Sequence, residues 1–187
     1  KNGIPSLTDP DVMDGDDAEY LQPGDKVIGV VAGGEARAYP LRILGYHEAV
    51  NDTLGREHVL VTYCPLCDSS LVFDRDIGGE VREFGISGLL YHSNVLLFDR
   101  HRADSKESLW SQMLMKAVCG PAAEKGLTLE LLPSEVATWE TWLAEHPETT
   151  VLSTDTNYAR NYDRTPYKSY FSSPALMFNV PWEDDAE

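Results

Sequence analysis

The sequence predicts one β-rich α+β domain, built from short antiparallel strands and a few short helices. Two observations support this prediction. Apolar residues alternate with polar ones, or form short β-branched runs, along most of the chain. Glycine pairs at Gly33-Gly34 and Gly78-Gly79 punctuate these runs as tight turns do. With 187 residues, and no internal repeat or composition break, the chain suits a single domain over residues 1–187.

The first elements can be assigned in order from these patterns. Residues 1–25 are rich in Pro, Gly and Asp, and they predict an irregular N-terminal strap with a solvated acidic face. The runs at 26–32 and 35–39 flank Gly33-Gly34 and predict a β-hairpin. Residues 41–44 predict a helical turn before the polar segment that follows.

The middle of the chain predicts further strands. A second hairpin is expected around Gly78-Gly79, between the runs 71–74 and 81–84. Residues 84–94 are predicted as an apolar loop interrupted by Gly and Ser, which leads to a strand at 95–99. Residues 108–112 predict one more short strand.

One helix is well marked near the C-terminal end. Thr138 is its predicted N-cap and Pro147 its stop. The predicted buried face consists of Trp139, Trp142, Leu143 and His146. Beyond it, residues 157–187 carry many Tyr side chains among Arg and Pro, and they predict an ordered wrap over the domain.

Charge excludes two classes of partner. The chain has 31 acidic and 15 basic residues, a net charge of −16 at pH 7. Nucleic acid and anionic membranes require the opposite sign, so neither is an expected partner. The acidity and the scarcity of Lys favour an extracytoplasmic setting or a halophilic source. No apolar run reaches the roughly 18 residues that span a bilayer, so no transmembrane segment is expected.

The stretch with the clearest chemical potential is Cys64-Pro65-Leu66-Cys67. Strand-like runs enter and leave it, so both cysteines are predicted in a tight turn between two strands. In thioredoxin-like proteins the same spacing opens a helix whose N-terminus stabilises the thiolate. Residues 68–74 alternate like a strand and are too short for that helix. The context therefore favours a metal-binding turn.

A soft metal ion is the first functional expectation. Zinc requires four ligands, whereas Cu(I) is satisfied by two or three soft ones, so copper is expected ahead of zinc. His47 is the first choice for a third ligand beside Cys64 and Cys67, and His92 is the second. Cys119, Met113 and Met115 are the remaining candidates.

Two alternatives stay open. In the first, the chain is an oxidoreductase with a thiol redox partner, in which one cysteine attacks and the other resolves. Either His47 or Glu48 would then assist proton transfer. In the second, the chain is a non-catalytic binding module in which Cys64 and Cys67 merely close a turn.

Several motifs resemble those of a family of bacterial and archaeal domains of unknown function, and they cover most of the chain. These motifs are Gly33-Gly-Glu-Ala-Arg-Ala-Tyr-Pro-Leu-Arg-Ile-Leu44, His47-Glu-x-Val-Asn-Asp52, Thr62-Tyr-Cys-Pro-Leu-Cys67, Phe84-Gly-x-Ser-Gly-Leu-Leu-Tyr91, Ser108-Leu-Trp-Ser-Gln112 and Leu131-Leu-Pro-Ser134. Members often follow export signals, and some are selenoproteins at the Cys-x-x-Cys motif. The resemblance therefore implies an extracytoplasmic location and a reactive sulfur centre, although it supplies no reaction. At Tyr91-His92 the sequence departs from the family pattern, in which Asn commonly follows the Tyr.

Overall fold

The computed structural model describes residues 1 and 3–178. Within them the strands are β1 (Leu7–Thr8), β2 (Val12–Asp14), β3 (Lys26–Ala32), β4 (Glu35–Pro40), β5 (Ala49–Leu54), β6 (Glu57–Cys64), β7 (Ser69–Asp74), β8 (Phe84–Tyr91), β9 (Asn94–Asp99), β10 (Leu109–Ser111), β11 (Lys116–Cys119), β12 (Glu130–Leu131), β13 (Ser134–Thr138) and β14 (Thr150–Leu152). The α-helices are α1 (Leu41–His47), α2 (Pro121–Glu124), α3 (Trp139–Glu145) and α4 (Lys168–Phe171). None of the helices in this part of the chain is long and apolar enough to cross a membrane.

The strands form three sheets. The first has the order β1-β5-β6-β7-β12, the second β11-β10-β9-β8, and the third β13-β3-β4-β14-β2. All pairings are antiparallel except β1 with β5 and β4 with β14. The predicted fold class, a β-rich α+β domain of short antiparallel strands with few short helices, is confirmed.

The first sheet is the middle layer of the molecule, and β6 shows why. Its side chains alternate between two cores: Val59 and Val61 pack with residues of the third sheet, whereas Leu60 and Cys64 pack with residues of the second. A strand that is buried on both faces needs apolar residues at successive positions. The strand-like run before Cys64 is rich in apolar residues because β6 lies in the middle layer, with both of its faces buried.

The predicted helix with its buried tryptophan face is α3, and it covers the outer face of the third sheet. Thr138 is its N-cap, and the Oγ1 atom accepts a hydrogen bond from the Thr141 amide at 3.3 Å. Trp139 and Trp142 are buried, and Leu143 is half-buried. His146 ends the helix with its ring against Trp142, the two centroids 4.0 Å apart.

The two glycine pairs turn differently. Gly33 and Gly34 have φ values of +58° and +84° and connect β3 to β4, so the first hairpin is confirmed. Gly78 and Gly79 also have positive φ, but the chain around them pairs only through one bridge between Asp76 and Val81. The second hairpin is wrong because β7 pairs with β6 and β12, and β8 joins another sheet.

The predicted loop at 84–94 is also wrong, since most of it forms β8. Gly85 and Ser87, which suggested a loop, instead make contacts between β8 and β9. A Cβ atom on Gly85 would lie 2.6 Å from the Phe98 ring, so glycine admits that ring against the backbone. The pairing with β9 shifts register between Ile86 and Leu90, and there Ser87 Oγ donates to the Leu96 carbonyl at 2.5 Å.

Two buried polar residues of β5 join the three sheets. The side-chain amide of Asn51 donates to the Phe84 carbonyl at 2.8 Å and accepts from the Phe84 amide at 2.7 Å, which ties the first sheet to the second. Asp52 Oδ2 accepts from both Arg37 and Tyr39 at 2.8 Å, which ties it to the third. Both of these buried side chains are thus paired, as burial requires.

The two ends of the chain lie over this three-sheet body. The predicted strap over residues 1–25 contains β1, β2 and a 3₁₀ turn at Gly15–Asp17. The predicted wrap over residues 157–187 contains α4, and its last part, 179–187, lies outside the described residues. Tyr170 Oη donates to the Leu66 carbonyl at 2.7 Å, so the wrap contacts the cysteine turn.

Candidate functional site

The two cysteines lie at a strand-to-strand turn, as predicted. Cys64 ends β6, Ser69 begins β7, and the Cys67 amide closes the turn onto the Cys64 carbonyl at 3.4 Å. Asp68 has φ of +46°, a left-handed conformation that glycine adopts more readily. Its carboxylate accepts a hydrogen bond from Tyr63 Oη at 2.8 Å, which holds the residue there.

The two sulfurs have opposite environments. Cys64 is 1% exposed, whereas Cys67 is open to solvent, and neither forms a disulfide. Burial raises the pKa of the Cys64 thiol to about 12, with further contributions from the hydrogen bond and the charge of Cys67. Cys64 is therefore a protonated thiol at neutral pH, with an accessible sulfur beside it.

Polar side chains from β7, β9 and the β10–β11 turn surround the accessible sulfur. Asn94 Nδ2 donates to Cys67 Sγ at 3.2 Å, and Ser69 Oγ lies 3.2 Å from the same sulfur. Behind them, Gln112 Oε1 accepts from Asn94 at 2.7 Å and from Ser69 at 2.9 Å. These contacts place the amide N–H of Asn94 at the sulfur from which a thiolate would react, whereas the Ser69 hydroxyl hydrogen is directed towards Gln112.

The donor and acceptor of each hydrogen bond in this network follow from the bond that Thr62 makes in the core. Thr62 Oγ1 donates to the Leu71 carbonyl at 2.7 Å, so it accepts from Gln112 Nε2 at 2.9 Å. Gln112 must then turn its oxygen towards Asn94. Asn94 Oδ1 accepts from the Met113 amide at 3.3 Å, which leaves its NH₂ group facing Cys67. The donor at the sulfur is preorganised by residues deep in the core.

Glu48 supplies a titratable carboxyl near the pair. It follows α1 in a left-handed conformation, with φ of +58°, and it is buried. Its carboxylate accepts from Tyr167 Oη at 3.2 Å. Burial raises the pKa of Glu48 to about 7 from an ordinary 4.5, and the Tyr167 hydrogen bond opposes the shift. Burial first, and then the charges of Glu48 and Cys64, raise the pKa of the Tyr167 phenol, so Tyr167 lies near both groups.

His47 takes a different position from the one expected of a third ligand. Its Nδ1 lies 2.7 Å from the Pro5 carbonyl, and its Nε2 lies 2.6 Å from Tyr162 Oη. The carbonyl accepts only, so Nδ1 carries the proton and Nε2 accepts from the tyrosine. Burial lowers the pKa of His47 and keeps the ring neutral. Both nitrogens are thus occupied by protein groups.

The other candidate ligands are scattered. His92 lies at the exposed β8–β9 turn, its ring 4.6 Å from that of Tyr91, and Cys119 is exposed at the end of β11. Within residues 1 and 3–178, three or more His, Cys, Asp or Glu donors come within 4.8 Å of one another only at Glu135, Glu145 and His146. That group lies near the C-terminal end of α3, away from the cysteine turn. The structure brings together Cys64 and Cys67, with Glu48 nearby, and adds neither histidine.

A cavity of about 520 Å³ opens beside the turn. Its walls include Tyr63, Pro65 and Asp68 of the turn, and Tyr167 and Phe171 of the C-terminal wrap. Tyr167 therefore lines the cavity while it contacts Glu48. Space for a ligand thus adjoins Tyr167, which donates a hydrogen bond to the Glu48 carboxylate.

A family model described as "Protein of unknown function (DUF3179)" matches residues 1–187. The chain belongs to the DUF3179 family. The resemblance to a family of domains of unknown function is thereby confirmed. No match to a curated protein or to a solved structure was found.

Three motifs that carried the resemblance meet at the accessible sulfur of this DUF3179 chain, and they contribute the turn 62–67, Tyr91 beside Asn94, and Gln112. A fourth motif adjoins the turn through its backbone, since the Glu48 carbonyl accepts from the Tyr63 amide at 2.9 Å. The roles of Asn94 and Gln112 were missed by sequence reasoning. An amide side chain at the end of an otherwise apolar strand was the available signal, since a buried amide requires partners.

Proposed function

We propose that this DUF3179 protein carries out thiol–disulfide exchange, with Cys67 as the attacking thiol and Cys64 as the resolving one. The observation that carries the proposal is the hydrogen bond from Asn94 to an exposed sulfur, beside a buried and protonated partner thiol. A hydrogen bond donated to a thiolate favours the charged form. The hydrogen bond from Asn94 takes the place of the helix N-terminus that stabilises the thiolate in thioredoxin-like sites.

The exchange proceeds in two balanced steps. The Cys67 thiolate attacks one sulfur of a substrate disulfide, forms a mixed disulfide and releases the other sulfur as a thiolate, which takes up a proton. Cys64 then loses its proton and attacks Cys67 Sγ. A Cys64–Cys67 disulfide forms, and the second substrate sulfur leaves. The substrate gains two electrons and the protein dithiol loses two.

The second step needs a base, because burial, the largest cause of the shift, keeps the pKa of the Cys64 thiol above its ordinary value even when Cys67 is uncharged in the mixed disulfide. We assign this role to Glu48. A pKa of about 7 leaves roughly half of its carboxyl groups ionised at neutral pH, which suits a general base. Tyr167 lies near both Glu48 and Cys64, and it is placed to position the carboxylate.

Trapping experiments test the assignment. Each variant is made in a Cys119→Ser background, so that the remote third thiol does not report. Reduced Cys64→Ser exposed to a small disulfide is expected to accumulate a mixed disulfide on Cys67, seen by mass spectrometry. Wild type passes on to the internal disulfide, and Cys67→Ser reacts slowly. If Cys67→Ser is oxidised as fast as wild type, Cys67 is not the attacking group.

Soft-metal binding is the second candidate function. The specific observation for it is that two free thiols lie in hydrogen-bonding contact on one turn. Cu(I) is satisfied by two thiolates, whereas Zn(II) requires two more ligands. His47 and His92 would each have to leave the contacts described above to join them. Copper is therefore favoured over zinc, and metal binding ranks behind thiol exchange.

Competition with a chromophoric chelator separates the two functions. Reduced wild type, Cys64→Ser, Cys67→Ser and His47→Ala are titrated with Cu(I) in the presence of the chelator. If copper is the ligand, both cysteine variants lose affinity and His47→Ala retains it. Equal affinity in all four proteins would remove the copper function and leave thiol exchange unaffected. For either function we propose an extracytoplasmic location, supported by the acidity of the chain and the export signals of the family it resembles.

A further inference from the structure

Beyond Asn94, one side of the Cys67 site carries an exposed apolar surface, where exposed turns are usually polar. Met113 and Leu114 occupy the exposed centre of the β10–β11 turn and are 55% and 43% exposed. Tyr91, at the end of β8, is 43% exposed. We call these three side chains the apolar rim. Because these three side chains are exposed, they add little to the stability of the core. Their apolar character therefore requires another explanation.

The rim adjoins the reactive sulfur through a single residue. Asn94, which donates to Cys67, pairs directly with Tyr91 across the β8–β9 hairpin. The same Asn94 accepts the Met113 amide at 3.3 Å, and Leu114 is held next to it by a hydrogen bond from its amide to Ser111 Oγ at 3.2 Å. The backbone beneath the rim is therefore fixed, and the rim is a preformed surface.

Charge distinguishes the rim from the rest of the molecule. The chain carries a net charge of −16, but residues 91–94 and 112–115 contain no Asp, Glu, Lys or Arg. A small anionic disulfide of the glutathione type would be repelled by the overall field, and it has no apolar group to lay on the rim. A polypeptide segment that is neutral or basic, with apolar residues beside its cysteine, avoids the repulsion and buries the rim. Exposed methionine adapts well to such varied partners.

We infer that the apolar rim is a docking surface for polypeptide substrates, and that the substrates are disulfide-bonded segments with apolar residues flanking the cysteine. This inference rests on the proposed thiol exchange and names its substrate class. It assigns Tyr91, Met113 and Leu114 to substrate selection, and leaves the chemistry to Cys67, Cys64 and Glu48.

Three disulfides with a common leaving group provide the test. Reduced protein in the Cys119→Ser background is mixed with thiopyridyl disulfides of mercaptoethanol, of glutathione, and of a lysine-containing decapeptide with its cysteine between Leu and Phe. Thiopyridone release gives the rate of each. The peptide is expected to react about tenfold faster than the mercaptoethanol derivative, the gain from burying one or two apolar side chains. The glutathione derivative is expected to react slowest.

Variants separate the surface from the chemistry. Met113→Ser/Leu114→Ser is expected to lose the preference for the peptide and to retain the mercaptoethanol rate. Val136→Ser, which removes a side chain of similar exposure (51%) on the third sheet, is the matched control and is expected to keep the preference. If wild type shows no preference, or if the double variant keeps it, the substrate inference is overturned and thiol exchange stands. If Cys67 reacts with none of the three disulfides, both proposals are overturned.

Discussion

The contact between Gly29 and Trp142 provides a sharp test of the packing between the third sheet and α3. A Cβ atom on Gly29 would lie 2.2 Å from Cζ3 of the Trp142 ring, which is far inside van der Waals contact. Trp142 is 1% exposed, and its Nε1 donates to Thr149 Oγ1 at 2.9 Å. The indole therefore lies directly on the glycine backbone, with no free space between them.

Each single substitution at this contact is expected to destabilise the fold. Trp142→Ala creates a cavity and should cost about 3–5 kcal/mol of unfolding free energy. Gly29→Ala forces the ring away from the strand and should cost about 1–3 kcal/mol. In the Trp142→Ala background, however, the new methyl group meets empty space. There Gly29→Ala should be neutral or should stabilise by about 0.5–1 kcal/mol, because alanine suits a strand interior better than glycine.

The four proteins of this cycle are compared by guanidinium unfolding followed by far-ultraviolet circular dichroism, which does not depend on tryptophan. The expected coupling between the two sites is at least about 1 kcal/mol, beyond the additivity of independent positions. Equal costs of Gly29→Ala in the two backgrounds would show that the ring does not rest on the glycine. The described packing of α3 would then be wrong.

Three further predictions concern single side chains. Glu48→Gln removes a carboxyl whose pKa the fold raises to about 7, so the stability of wild type relative to the variant should fall as pH rises from 4.5 through 7. Chemical unfolding of both proteins at pH 4.5 and pH 8 measures this fall, which should approach about 3 kcal/mol of unfolding free energy. Asp52→Ala leaves the buried Arg37 guanidinium without its partner and should cost about 3–5 kcal/mol in the same assay, and a cost below about 1 kcal/mol would contradict the pairing. Asn94→Ala, made in a Cys64→Ser/Cys119→Ser background, should slow alkylation of Cys67 at neutral pH about tenfold, since a hydrogen bond to a charged group contributes about 1.5–3 kcal/mol. An unchanged alkylation rate would show that this hydrogen bond does not activate the sulfur.

The sequence predicted the elements whose causes are local. The β3–β4 hairpin follows from Gly33-Gly34, and α3 follows from its Thr138 cap and its buried tryptophans. The cysteine turn was found because strand patterns flank it on both sides. Strand β8 was missed because its glycine and serine serve contacts with Phe98 and Leu96, which lie on another strand. A local pattern does not reveal such partners.

The site was predicted in part for the same reason. Cys64, Cys67 and Glu48 attract notice by their chemistry alone. The structure places the two cysteines on one turn, and the Glu48 carbonyl accepts from the amide of Tyr63, the residue before Cys64. Asn94 and Gln112 come from the other sheet, and only the way the sheets stack brings them to the sulfur. His47 attracted notice by residue type, yet its contacts are with Pro5 and the C-terminal wrap, far apart in sequence.

The imidazole of His47 has a consequence for the order in which the chain folds. It closes two long loops at once, because its partners Pro5 and Tyr162 are separated from it by 42 and 115 residues. Closing loops of this length costs conformational entropy that only later contacts offset. The two hydrogen bonds of His47 are therefore expected to form after the sheets have assembled. Burial lowers the pKa of His47, so acidification below its ordinary value of 6.5 favours the open state. Hydrogen exchange near Leu7 and near Thr156 should accelerate together as the pH falls, with β5, β6 and β7 of the middle sheet still protected. One proton would then loosen both ends of the chain at His47, while the β1–β5 pairing and the contact of Tyr170 with Leu66 still hold them to the body.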